Sequence, residues 1–153
     1  MKSTEHWLVH DHTQIENLLT DFRKDAEIYD WWSLGRILQR LIEQLSHHMA
    51  QEEEILFPAY DKKCDTTYKL TTELQAEHDQ IFECVQDIRA LINKQDKDRI
   101  LDRIGDLITL MVDHGRREEE NLIPFASHLL YEDREELSEK LENFVLTKNS
   151  RVW

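Results

Sequence analysis

Residues 48 to 58 read HMAQEEEILFP and residues 114 to 124 read HGRREEENLIP, so the pattern H-x-x-x-E-E-E-x-L-x-P occurs twice, 66 positions apart. A histidine and a glutamate four positions apart lie one turn apart on the same face of a helix. There an imidazole nitrogen and a carboxylate oxygen can converge on one cation. The same shift of 66 carries Asp11-His12-Thr13-Gln14-Ile15 onto Glu77-His78-Asp79-Gln80-Ile81. In each half 36 positions separate the two histidines, His12 from His48 and His78 from His114. The candidate ligands are therefore His12, His48, Glu52, His78, His114 and Glu118. Four imidazoles and two carboxylates suit two ions bridged by Glu52 and Glu118. Neutral imidazole with carboxylate favours iron or manganese and admits zinc. With no thiolate in the set, two iron ions are expected.

These residues need helices to position them. Leu8, His12, Ile15, Leu19 and Phe22 form one stripe with steps of four, three, four and three. Leu41, Leu45, His48, Glu52 and Leu56 form another, and the 66-residue shift reproduces both as Leu74, His78, Ile81, Val85, Ile88 and Leu107, Met111, His114, Glu118, Leu122. The chain reads as a tandem duplication of a helical hairpin. Its halves span about 4–62 and 66–128, with helices at about 4–27, 31–62, 66–93 and 97–128. A fifth helix is expected near 132–147, with an apolar edge at Leu137, Leu141, Phe144 and Val145. Short connections make neighbouring helices antiparallel, so the expected fold is an all-α, up-down-up-down four-helix bundle in a single domain of residues 1–153. Pro58 and Pro124 each lack a backbone donor, and a kink is expected at Pro58.

Placing two Glu and four His on core stripes carries a cost. An unpartnered carboxylate taken out of water costs several kcal/mol, and a neutral imidazole must satisfy two ring nitrogens. A shared metal centre removes that difficulty. The remaining polar residues read differently. Glu53, Glu54, Glu119 and Glu120 lie off the ligand stripe and are expected to face solvent or adjoining helices, with one of them a candidate third carboxylate. His6, His10, His47 and His128 lack the paired pattern and read as surface residues or neighbours of the site. Trp7, Trp31 and Trp32 are expected to cap an end of the bundle, Tyr60 to pack at the kink, and Trp153 to be a mobile terminus.

Composition narrows the function further. Only three Gly and two Pro occur among 153 residues, which suits long helices and leaves little material for glycine-rich phosphate loops. The net charge of -13 disfavours nucleic acid and anionic membranes as partners. The N-terminus lacks the apolar stretch of a signal peptide, and no run approaches a membrane span, so a cytoplasmic location is expected. Cys64 and Cys84 read as free thiols.

The paired motifs resemble the hemerythrin-like, or HHE cation-binding, family over roughly residues 8 to 126. The resemblance rests on D-H in the first helix, E-H in the third, and H-x-x-x-E-E-x-x-L-F/I-P in the second and fourth. It implies His12, His48, His78 and His114 as terminal ligands, Glu52 and Glu118 as bridging carboxylates, and a non-haem di-iron centre with an oxo or hydroxo bridge. Reactivity toward dioxygen or nitric oxide is implied with it. Oxygen-carrying hemerythrins have an additional histidine one turn before the third-helix histidine, where this chain has Leu74, and an aspartate in place of Glu118. Two octahedral ions offer about twelve coordination positions, and the expected ligands with a single-atom bridge leave about two open. This favours stress defence, iron-centre repair or iron handling over a dedicated oxygen store. The alternative is a metal-binding sensor or iron-handling protein without turnover. A purely structural bundle is a third possibility, in which chelators would leave stability unchanged.

Overall fold

The computed structural model describes residues 4–64, 67 and 69–153, and gives the backbone alone for 4–6, 125 and 129. The described residues are helical, with no strand. Helix α1 spans Thr4–Glu27 and α2 Trp31–Gln51; α2 passes through a wide turn, Glu52–Leu56, into α3, Phe57–Lys63. The second half repeats the plan, with α4 at Leu70–Lys94, α5 at Ile100–Arg117, a wide turn at Glu118–Leu122 and α6 at Ile123–Leu129. Helix α7, Arg134–Glu142, follows. Helix α1 packs on α2 and α5, and α4 packs on the same two, which closes a ring of four.

The hairpin turns are built alike. Tyr29 and Gln95, 66 apart, both adopt left-handed backbone, with φ of 53° and 51°. Around them Tyr29 N–H donates to Ala26 and Asp30 N–H to Asp25, while Gln95 N–H donates to Ile92 and Asp96 N–H to Leu91. These reversed bonds satisfy the last carbonyls of α1 and α4. Asp30 then accepts from the Ser33 N–H at 3.0 Å and caps α2, and Asp96 accepts from the Arg99 N–H at 3.2 Å in the turn that leads into α5.

Two expectations are corrected. The irregularity expected at Pro58 lies ahead of it, where Phe57 N–H reaches back five residues to Glu52 and widens the turn. Ile123 N–H does the same with Glu118 ahead of Pro124. A proline without an N–H cannot complete the regular ladder behind it, so an extra residue fits into the preceding turn. The fifth helix ends at Glu142 rather than near 147, and Val145 is 75% exposed. Asn143 turns its side chain onto the Glu139 carbonyl and stops the helix. The expected start of the third helix, at 66, falls outside the described residues, and α4 is first seen at Leu70.

The core is divided. The larger cluster runs from Ile15 through Phe22, Leu41, Val85 and Leu107. A smaller one gathers Leu8, Leu56, Tyr60, Leu74 and Leu122 with α6 and α7. Between Leu8 and Ile15 on α1, and between Leu45 and Leu56 on the second stripe, lies the histidine–glutamate layer. Tyr60 packs in the smaller cluster, as expected from its place after Pro58.

Candidate metal centre

The antiparallel hairpins bring all six candidate residues to one level. His12 and His78 lie in the N-terminal halves of α1 and α4, His48 and His114 near the C-terminal ends of α2 and α5, and Glu52 and Glu118 open the wide turns. Every one is buried: Glu52, Glu118 and His78 show no exposed surface, and His12, the most accessible, is 5% exposed. Their donor atoms form two overlapping groups, His12–His48–Glu52–Glu118 and Glu52–His78–His114–Glu118, within each of which the atoms lie within 4.8 Å of one another. Both glutamates belong to both groups.

Each glutamate faces one histidine from either half. Glu52 Oε1 is 3.1 Å from His48 Nε2, and its Oε2 is 3.0 Å from His78 Nε2. Glu118 Oε1 contacts His114 Nε2, and its Oε2 is 3.4 Å from His12 Nε2. His78 Nε2 and His114 Nε2 approach to 3.1 Å. Among the described residues, both oxygens of Glu52 and of Glu118, and the Nε2 atoms of His12 and His48, are buried and meet only one another and the other two histidines, short of well-directed hydrogen bonds. Buried polar atoms are normally satisfied. Convergent lone pairs in a dry layer fit a cation, so the donor set suits a metal.

The outer ring nitrogens explain why the lone pairs point inward. His48 Nδ1 is 3.0 Å from Asp11, and His114 Nδ1 is 2.7 Å from Glu77. His78 Nδ1 is 2.7 Å from Glu53, and His12 Nδ1 is 3.0 Å from Glu119. A carboxylate accepting from Nδ1–H fixes the tautomer and leaves Nε2 free to bind a metal. Asp11 and Glu77 serve within their own half, whereas Glu53 and Glu119 reach across to the other half. Sequence reasoning missed this quartet, although an acidic residue directly before each first histidine was a legible signal. Gly115 backs onto His12, where an added Cβ would lie 3.5 Å from Nδ1.

Protonation in this layer follows its charges. Burial opposes charge on His48, yet Glu52 and Asp11 hold its pKa well above the ordinary imidazole value. Burial also opposes charge on His114, and Glu118 and Glu77 push its pKa up to about 10. The same balance raises His12, mainly through Glu118, and His78, through Glu52 and Glu53. Burial of Glu118 favours its neutral form, but His114 and His12 hold it well below the usual carboxylate range. Without an ion the layer balances its carboxylates with protons held on the imidazoles, and a bound ion must displace those protons.

The other candidates lie elsewhere. His10, His47 and His128 are exposed, and His47 packs against Phe144 with ring centroids 5.4 Å apart; the side chain of His6 is outside the described residues. Cys64 and Cys84 are free thiols. Burial pushes Cys84 up to about 11, so its thiol stays protonated. Trp7 is no end cap, since its ring lies 5.5 Å from that of His48. Trp31 packs on the larger cluster beside Tyr29, and Trp32 is 70% exposed. Nor does Trp153 swing free: it packs edge-on against Phe82, 5.3 Å between centroids. An open groove of about 900 Å³ between α3 and α7 is lined by none of the six ligand candidates. No helix among the described residues is long and apolar enough to cross a membrane.

A search of curated proteins returns no match. The family profile of the Hemerythrin HHE cation binding domain matches residues 3–126, a span that contains α1 to α5, both wide turns and all six candidate ligands. The buried histidine–glutamate layer and that match agree: this chain is a metal-binding member of the hemerythrin HHE cation-binding family.

Proposed function

We propose that the chain is a non-haem di-iron protein that binds or reacts with dioxygen or nitric oxide, in oxidative or nitrosative stress or in the repair of iron centres. The observation that carries this reading is the pair of four-residue groups sharing Glu52 and Glu118, which gives two adjacent positions with equal donors. His12 and His48 with the two glutamates would hold one ion, and His78 and His114 with the same glutamates the other. Iron bound there supplies reversible one-electron redox chemistry and open coordination positions for a diatomic ligand. The protein's part is to hold four Nε2 lone pairs inward through Asp11, Glu53, Glu77 and Glu119. Leu8, Leu56 and Leu74, all fully buried, keep water from the layer. That degree of burial excludes a large ligand and supports a diatomic one.

The second reading is a metal-binding sensor or iron-handling protein without turnover. It is favoured by the contact of the C-terminal tail with Glu53 and Glu54, which ties the site to a surface segment. Anaerobic ferrous loading, metal analysis and the visible spectrum in air separate the two. We expect two irons per chain and a spectrum that changes with oxygen or nitric oxide. Two irons inert to both gases would favour the sensor, and no bound metal would end both readings. Glu52→Ala and Glu118→Ala should each abolish loading of two ions, while Glu54→Ala and Glu120→Ala should leave it intact. Equal loss in all four would mean that the ligands are misassigned.

A further inference from the structure

The two halves of the site are not equally supported. Glu77, which holds His114, is itself clasped by Arg117, which also contacts Glu73. Glu53, which holds His78, receives Arg151 at 3.5 Å. The corresponding partners of His12 and His48 are Glu119 and Asp11, and among the described residues no cation pairs with either. The Glu119 side chain is 44% exposed, against 16% for Glu53.

Arg151 belongs to a segment beyond the family match, which ends at residue 126. The tail after α7 folds back over the first motif. Ser150 donates to Glu54 at 2.5 Å, and Trp153 packs on Phe82. Arg151 lies over the Phe82 ring, 5.1 Å from its centroid, and pairs with Asp79 at 2.5 Å. Among the described residues nothing equivalent covers the second motif, whose Glu119 and Glu120 are exposed.

We propose that Arg151 is a positioning residue for the metal centre: by holding Glu53 against His78, it makes the His78–His114 position retain its ion longer than the His12–His48 position. The proposal rests on the two-ion reading above. Two effects of the guanidinium oppose each other. Its charge weakens the pull of Glu53 on a cation, and its hydrogen bond fixes the carboxylate that orients His78. The shorter contact to Asp79 offsets part of that charge locally, so orientation prevails. At the other position an exposed Glu119 can turn into solvent and release His12.

The test uses the full chain loaded with two zinc ions and challenged with an excess of a chromogenic chelator. Metal analysis comes first: fewer than two ions per chain overturns the two-ion reading and this proposal with it. With two ions bound, release should come in two phases of equal amplitude. Arg151→Ala should speed the slow phase by about tenfold, the low end of the effect of losing an outer partner of a metal ligand, and leave the fast phase unchanged. Arg151→Lys should restore much of the slow phase, and Glu119→Gln should alter only the fast one. A merely structural role would speed both phases together and lower the thermal midpoint. Release in a single phase, or an Arg151→Ala slow phase that is unchanged or that accelerates in step with the fast one, overturns the proposal. Should Arg151→Ala fail to fold, Arg151→Gln keeps an amide donor and the stem over Phe82 and carries the same comparison.

Discussion

At the scale of single residues, the site depends on carboxylates that touch no metal position. Asp11→Asn and Glu77→Gln keep shape but exchange a charged acceptor for a neutral amide opposite Nδ1. Each should weaken metal retention about 10- to 100-fold, read by competition against a chelator of known affinity, with helix content by circular dichroism unchanged. The six inward residues were legible because histidines and glutamates that interrupt an apolar helical stripe, twice and at a fixed shift, are costly to bury unless a cation gathers them. Glu53 and Glu119 were not legible in the same way. A regular helix turns them about 100° off the stripe, whereas the wide turns at Glu52–Leu56 and Glu118–Leu122 re-aim these residues toward a histidine of the other half. A local departure from helical geometry thus supplied what periodicity could not show.

At the scale of elements, the turns carry a testable strain. Gln95 is exposed and holds left-handed backbone that side chains with a Cβ tolerate poorly. Gln95→Gly should relieve it and stabilise the protein by about 1 kcal/mol, or about 2–4 °C in a chain of this size, with metal content unaltered. A lower melting temperature would mean that the Gln95 side chain contributes more than its backbone costs. The number and order of the long helices followed from their stripes. The tail did not. Phe144 and Val145 continued an apolar pattern that suggested a longer α7, but Asn143 closes the helix and the following residues satisfy themselves against Glu53, Glu54 and Phe82. Those are contacts between distant positions, which no local pattern announces.

For the whole molecule, the charge balance of the layer sets how stability depends on pH. His114 has its pKa raised from 6.5 to about 10 in the folded chain. A group raised on folding stabilises fully below its unfolded value, and the contribution is lost as pH climbs through its folded value. The chelator-treated protein should therefore lose stability between pH 6.5 and about 10. The metal-loaded protein should gain relative to it over the same range, because fewer protons compete for the imidazoles. Thermal denaturation of both forms at several pH values checks this, and a constant gap between the two curves would count against proton-for-metal exchange in the layer.

The division of the core has one more consequence. A polar layer, rather than continuous packing, joins the larger apolar cluster to the smaller one beneath α3, α6 and α7. Cooperativity between the two must pass through bound metal or through the protons that take its place. A chain made in a metal-starved cell would keep the larger cluster packed, while the end built on the smaller one opens more often and offers cleavage sites to proteases. The lifetime of the protein would then track the metal supply before any chemistry at the centre takes place.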